Sequence, residues 1–130
     1  MYVTKRLLVK FDDVADVIKR TCETDSGNRY FTKKELSYCG KKSRSLGARL
    51  VIKEFLHDYF AAETGYKEKD YKEIEIANDH RGAPNLRLSG MAGACARELK
   101  IGKILVSISH SKRWVSALVL ICFDRHLEYR

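Results

Sequence analysis

No stretch of this 130-residue chain stays apolar long enough to cross a bilayer, and no two of its four cysteines stand close together. A spanning helix needs about 20 consecutive apolar residues, so a membrane role is not expected. Cys22, Cys39, Cys95 and Cys122 are separated by 17, 56 and 27 positions. Structural zinc and thioredoxin-type redox chemistry both use close pairs, which leaves reduced thiols in a cytoplasmic protein as the expectation. Near the N-terminus the apolar run Leu7-Leu8-Val9 is cut by Lys10 and by Asp12-Asp13, too soon for a secretory core, and no export is expected. Repeats and low-complexity segments are also missing. The length suits one core, and a single domain over 1–130 is predicted.

Positive charge is what the chain does have. Lysine and arginine number 25 against 17 acidic residues, a formal charge of +8. Such an excess favours a polyanionic partner: nucleic acid, an acidic protein surface or a phosphate-rich cofactor. The patterning alternates between strand and helix. Tyr2 to Phe11 reads as a strand, followed by a helix capped by Asp12 or Asp13 and running to about Thr21, with Val14, Val17 and Ile18 at helical spacing. Thr32-Lys33-Lys34-Glu35 is a capping box and opens a short helix ending near Cys39-Gly40. From Ser43 or Ser45 to about Ala62, Ala48, Val51, Ile52, Phe55 and Tyr59 recur at steps of three and four, the stripe of a long core helix. Arg49 and Lys53 fall on a more polar face of it, with Glu54 beside them and Asp58 one turn on.

Ile74 and Ile76 alternate with Glu73 and Glu75, and the turn Asp79 to Pro84 leads to Asn85-Leu86-Arg87-Leu88, which together read as a hairpin. A small-residue helix over Gly90 to Leu99 precedes two strands, Ile104 to Ser109 and Trp114 to Phe123, the last apolar on both faces and expected to be central. The predicted fold is α+β, a long helix packed on a mainly antiparallel sheet. Ser109 and His110 end a strand beside a short loop, where hydroxyl, imidazole and backbone amides can meet phosphate. With the guanidinium, ammonium and carboxylate of Arg49, Lys53 and Glu54, they are the groups needed to hold a polyphosphate and a divalent cation.

In order along the chain, Phe11-Asp12-Asp13-Val14-Ala15-Asp16, Phe31-Thr32-Lys33-Lys34-Glu35-Leu36, Arg49-Leu50-Val51-Ile52-Lys53-Glu54, Ile74-Glu75-Ile76, Gly82-Ala83-Pro84 and Val106-Ser107-Ile108-Ser109-His110 resemble the holo-acyl-carrier-protein synthase group of 4'-phosphopantetheinyl transferases. The resemblance spans most of the length. It implies transfer of phosphopantetheine from coenzyme A to a serine of an apo carrier protein, releasing adenosine 3',5'-bisphosphate. It also implies Mg²⁺ held by Asp13 and Glu54, with Lys53 in the catalytic group, and a homotrimer with sites between protomers. Coenzyme A contacts are implied for Arg49, Lys41, Lys42, Gly82, Pro84, Ser109 and His110. Lys19 and Arg20 suit docking to an acidic carrier surface.

Several positions depart from that pattern. The family's glycine two residues before its aspartate is Phe11 here, which leaves Asp12 open beside Asp13. A lysine is usual four residues after the glutamate, and here it is Asp58, so Lys53 or His57 would have to compensate. Ala83 stands where a basic residue is common. Each candidate also has a plainer reading: Asp13 as a helix cap, Glu54 and the Lys41-Lys42-Ser43-Arg44 run as solvated charge. Two alternatives therefore stand beside transfer: a family-fold protein that binds coenzyme A or a carrier protein without chemistry, and a basic α+β domain that binds nucleic acid. The latter lacks any ribonucleoprotein-type, KH or helix-turn-helix signature.

Overall fold

The structure, a computed structural model, describes residues 1–23, 29–37 and 43–124. Strand β1 (Tyr2–Lys10) passes without a loop into helix α1 (Phe11–Glu23), and the Phe11 amide donates to the Arg113 carbonyl at 2.7 Å, tying that junction to the far end of the chain. Asp12 and Asp13 sit inside the first turn of α1, where carboxylates interact favourably with the positive end of the helix dipole. The capping box forms as its spacing predicts. The Glu35 amide donates to Thr32 Oγ1, the Thr32 amide donates to Glu35 Oε1, and helix α2 (Lys33–Leu36) follows. The helix end expected near Cys39-Gly40 lies outside the described residues.

Helix α3 (Ser43–Thr64) is 22 residues long, about 33 Å at 1.5 Å per residue. Its residues Leu46 to Lys53 are all buried, not only the apolar stripe. The reason is enclosure from several sides. α1 crosses it on one side, the three-stranded sheet lies on another, and the face carrying Arg49 and Lys53 is covered by α2 and by strand β2 (Ile74–Asn78). The more polar face read from the sequence is thus an interior one.

β2 pairs antiparallel with β3 (Pro84–Leu88), in the register Ile76 to Leu86. In the intervening turn Asp79 Oδ1 accepts from the amides of Arg81 at 2.8 Å and Ala83 at 3.0 Å, and Gly82 takes a φ of +85°, which only glycine adopts freely. Helix α4 (Gly90–Glu98) receives no side-chain cap from Ser89. Glu73 supplies it from a distance, Oε1 accepting from the Ala92 amide at 3.0 Å and from the Tyr66 hydroxyl at 2.9 Å.

β4 (Ile101–His110) and β5 (Trp114–Phe123) complete a second antiparallel sheet in the order β1-β5-β4, with β5 central as expected. The fold is α+β with antiparallel sheets, but the strands divide between a three-stranded and a two-stranded sheet rather than joining in one. Strand alternation sorts the larger sheet: Val115, Ala117, Val119 and Ile121 face α3 and are buried, while Arg6, Leu118 and Ser107 share a row on the opposite face. Among the described residues no helix is long and apolar enough to cross a membrane. Cys95 and Cys122 are free thiols, whereas Cys22 is disulfide-bonded, which corrects the expectation of reduced thiols at that position.

Candidate active site

The crossing of α1 over α3 depends on Gly47. A β-carbon there would meet Val14 Cγ2 at 3.1 Å, with Phe11 and Val115 each at 3.5 Å, so the missing side chain lets the first turn of α1 lie close on α3. Asp13 is the neighbour of Val14 in that turn. Glu54 lies seven residues beyond Gly47, two turns along the same stripe of α3. Both carboxylates are exposed, and neither is in an ion pair with a described residue. Desolvation first, and the Asp58 charge second, push the Glu54 carboxyl above its ordinary range.

Asp58, one turn further on, leaves 85% of its side chain in solvent. His57 does not turn toward it as a cation partner at close range. Its Nε2 lies 2.5 Å from the Glu68 carbonyl and its Nδ1 3.9 Å from Asp58 Oδ1, and the ring stands edge-on to Tyr66 and Tyr71.

Arg49 and Lys53 occupy quite different surroundings from Glu54. The Arg49 guanidinium is buried and donates from Nε to the Ile76 carbonyl at 2.8 Å, from Nη2 to Asn78 Oδ1 at 2.6 Å, and from Nη1 to the Ser45 hydroxyl and carbonyl. Lys53 is fully enclosed, its Nζ 2.5 Å from Glu35 Oε1. Burial pulls its ammonium below the ordinary lysine range, with the Glu35 carboxylate opposing that shift. As placed, both basic groups are spent on β2 and α2. Neither compensates for Asp58, and nothing in the sequence marked Glu35, Ser45 and Asn78 as their partners, because Glu35 reads there only as half of a capping box.

Of the remaining candidates, the Gly82-Pro84 turn and the β4–β5 loop after His110 lie toward the N-terminal half of α3. β2 runs antiparallel to α3 along the contacts of Lys53 and Arg49, so the Gly82-Pro84 turn projects beyond Asn78 toward the start of that helix. Arg44 Nε donates to the Lys112 carbonyl at 3.0 Å and lies over the Phe11 ring, which draws the β4–β5 loop to the same end. His110 is exposed at the close of β4. Ser109 alternates onto the outer face of the sheet, where it lines a shallow cavity of about 370 Å³ with Arg6, Leu8, Ser107, Ser116 and Leu118. Within one chain, then, Asp13, the β4–β5 loop and the start of α3 come together, while Ser109 and Glu54 lie on opposite sides of a sheet. Lys41 and Lys42 lie outside the described residues.

No group of three or more metal-ligating side chains is present among the described residues. Two free carboxylates nevertheless fit Mg²⁺, a hard cation that usually takes one or two protein carboxylates and completes its octahedron with phosphates and water.

No family model matches the chain. It is 31% identical over 116 residues to the holo-acyl-carrier-protein synthase of Halothermothrix orenii, covering 87% of this chain and 90% of that protein. The chain belongs to the holo-acyl-carrier-protein synthase family. A second family member, from Dehalococcoides mccartyi, is 40% identical over 93 residues, 72% of this chain and 76% of its own. Among solved structures, the synthase–coenzyme A complex from Chronobacterium ammoniagenes superposes with a TM-score of 0.73 at 25% identity, over 96% of this chain and 99% of the other. The Helicobacter pylori holo-acyl-carrier-protein synthase, solved in complex with coenzyme A, shares the fold at a TM-score of 0.69 and 21% identity, over 92% and 99% of the two chains.

Proposed function

We propose that the protein transfers 4'-phosphopantetheine from coenzyme A to a serine of an apo carrier protein in the cytoplasm, with Mg²⁺ held by Asp13 and Glu54. The carrier serine Oγ forms a bond to the β-phosphorus of coenzyme A. The bond from that phosphorus to the bridging oxygen breaks, adenosine 3',5'-bisphosphate leaves, and the serine proton passes to solvent or a nearby carboxylate. Such a displacement asks a protein mainly for positioning and charge neutralisation. Magnesium, when bound, supplies the neutralising charge on the pyrophosphate. Asp13 and Glu54 hold the cation, the Gly82-Pro84 turn and His110 receive phosphate and nucleotide, and Lys19 and Arg20, exposed on α1, meet an acidic carrier surface. Arg49 and Lys53 support the site from beneath it.

The observation that carries this reading is the pair of free, exposed carboxylates on two helices that Gly47 allows to touch. A homotrimer belongs to the same proposal. With Ser109 and Glu54 on opposite sides of the sheet, the two halves of a coenzyme A site meet when a second copy lays the outer face of its sheet beside the first copy's α3. Leu8, Leu105, Trp114 and Leu118, all exposed on that outer face, provide the apolar area such an interface buries.

The test is intact mass after incubation with coenzyme A, Mg²⁺ and a panel of apo carrier proteins. A gain of one phosphopantetheine is expected, with the rate falling on the order of 100-fold in Asp13→Ala and Glu54→Ala while both variants stay folded. Coenzyme A binding with no mass gain on any carrier would favour instead a cofactor-binding protein without chemistry, the reading that Asp58 supports through its negative charge beside the pyrophosphate position.

A further inference from the structure

The acidic and basic side chains beneath Glu54 form a clamp that stability alone does not require. Glu35 is fully enclosed, and each of its oxygens is taken. Oε1 accepts from Lys53 Nζ at 2.5 Å and from the Thr32 amide at 2.9 Å, and Oε2 accepts from the Ile76 amide at 2.9 Å. The carboxylate is thus fixed by donors from the entry to α2, from α3 and from β2. The carbonyl of Ile76 is held as well, accepting from Arg49 Nε at 2.8 Å. Thr32 Oγ1 donates to Glu75 Oε2 at 2.6 Å, binding the α2 entry to the same strand, and the Phe31 ring closes over the Lys53 ammonium at 5.4 Å.

Two successive turns of α3 are therefore anchored to one residue of β2, Ile76, directly through Arg49 and through Glu35 by Lys53. An apolar helix face can roll on its neighbours at small cost, but a charge held by directed bonds cannot. Burying two charges is costly, and apolar replacements are often no less stable, so a buried pair calls for a use other than stability. Lys53 immediately precedes Glu54, and consecutive helical residues point about 100° apart. Anchoring Lys53 inward fixes where Glu54 points.

We infer that the Glu35–Lys53 ion pair is a positioning device that sets the rotation of α3 and thereby aims the Glu54 carboxylate at the bound divalent cation. Glu35 and Lys53 act through Glu54 and do not touch substrate. This inference rests on the proposed metal role of Glu54, and it assigns Lys53 a different duty from that of a catalytic group.

The test uses Glu35→Gln, which leaves a buried ammonium without its counter-ion, and the double variant Glu35→Gln/Lys53→Met, which removes both charges at nearly constant volume and keeps the fold accessible. Mn²⁺ affinity is read by electron paramagnetic resonance in the presence of coenzyme A, and kcat and the half-saturating Mg²⁺ concentration are read in the transfer assay. Positioning predicts Mn²⁺ and Mg²⁺ affinities weakened by about 10- to 100-fold in the folded double variant, coenzyme A affinity without metal unchanged, and kcat at saturating metal within about threefold of the wild type. A double variant with wild-type metal affinity and a collapsed kcat would overturn the inference and make Lys53 a catalytic group. Unchanged metal affinity together with unchanged kcat would also overturn it. Failure of the proposed function is separately visible, as a wild-type protein that neither binds Mn²⁺ nor modifies any carrier, and that result would remove this inference with it.

Discussion

Glu54 and Asp58 illustrate how one residue alters another at a distance of one helical turn. Desolvation first, and repulsion from the Asp58 carboxylate second, raise the proton affinity of Glu54 above that of an ordinary glutamate. A raised value means that Glu54 takes up its proton earlier as the pH falls, and a protonated carboxyl is a poor ligand for a hard cation. The half-saturating Mg²⁺ concentration is therefore expected to climb on acidification while ordinary glutamates are still ionised. Asp58→Asn removes the repulsive part and should displace that climb toward lower pH. Metal titrations at a series of pH values, by direct Mn²⁺ binding, measure both, and superimposable curves for wild type and variant would contradict the account. The sequence showed the two acids at this spacing. It did not show that His57 is held by the Glu68 carbonyl rather than offered to the site, because that contact depends on how the chain after α3 folds back.

At the scale of elements, the contact between α1 and α3 is set by one absent side chain. Valine is no worse a helix former than glycine, so Gly47→Val isolates packing from propensity. Its β-carbon begins 3.1 Å from Val14 Cγ2, and two further methyl groups must find room in a close-packed interface. Overpacking of this kind costs about 1–3 kcal/mol, a fall of several degrees in the thermal midpoint for a chain of this size. Because α1 carries Asp13, the same displacement should raise the Mg²⁺ requirement. A variant of unchanged midpoint and unchanged metal response would show that α1 is free to shift. The helices themselves were legible from capping residues and apolar spacing, and the ends of α3 came within a few residues of their expected positions. The crowding around Gly47 was not legible, since glycine in a helix carries no sign of which neighbour approaches it.

The whole molecule poses the question of what covers the outer face of the three-stranded sheet. Leu118 lies in the middle of that face, opposite Arg6 on one neighbour and Ser107 on the other, and its side chain is exposed. Leu118→Glu places a charge where the proposed trimer buries apolar surface, while costing an isolated protomer little. Light scattering should show the mass falling from three chains to one, with circular dichroism retained and transfer lost in step with the assembly. A variant that stays trimeric and active would assign the interface elsewhere. Buried single-chain contacts cannot substitute for this experiment, because the sheet itself separates Ser109 from Glu54.

By itself the sequence determined the elements and the set of groups available for chemistry. Capping boxes, strand alternation and the helical stripe act over a few residues, so local order along the chain encodes them directly. Only the tertiary structure decided which charges remain free. Lys53 and Glu35 stand 18 positions apart, Glu35 and the Ile76 amide 41, and no local rule relates segments so distant. Their burial follows from β2 and α2 closing over one face of α3, which turned Arg49, an expected coenzyme A contact, and Lys53, an expected catalytic group, into internal braces and left Glu54, next to Lys53, facing solvent.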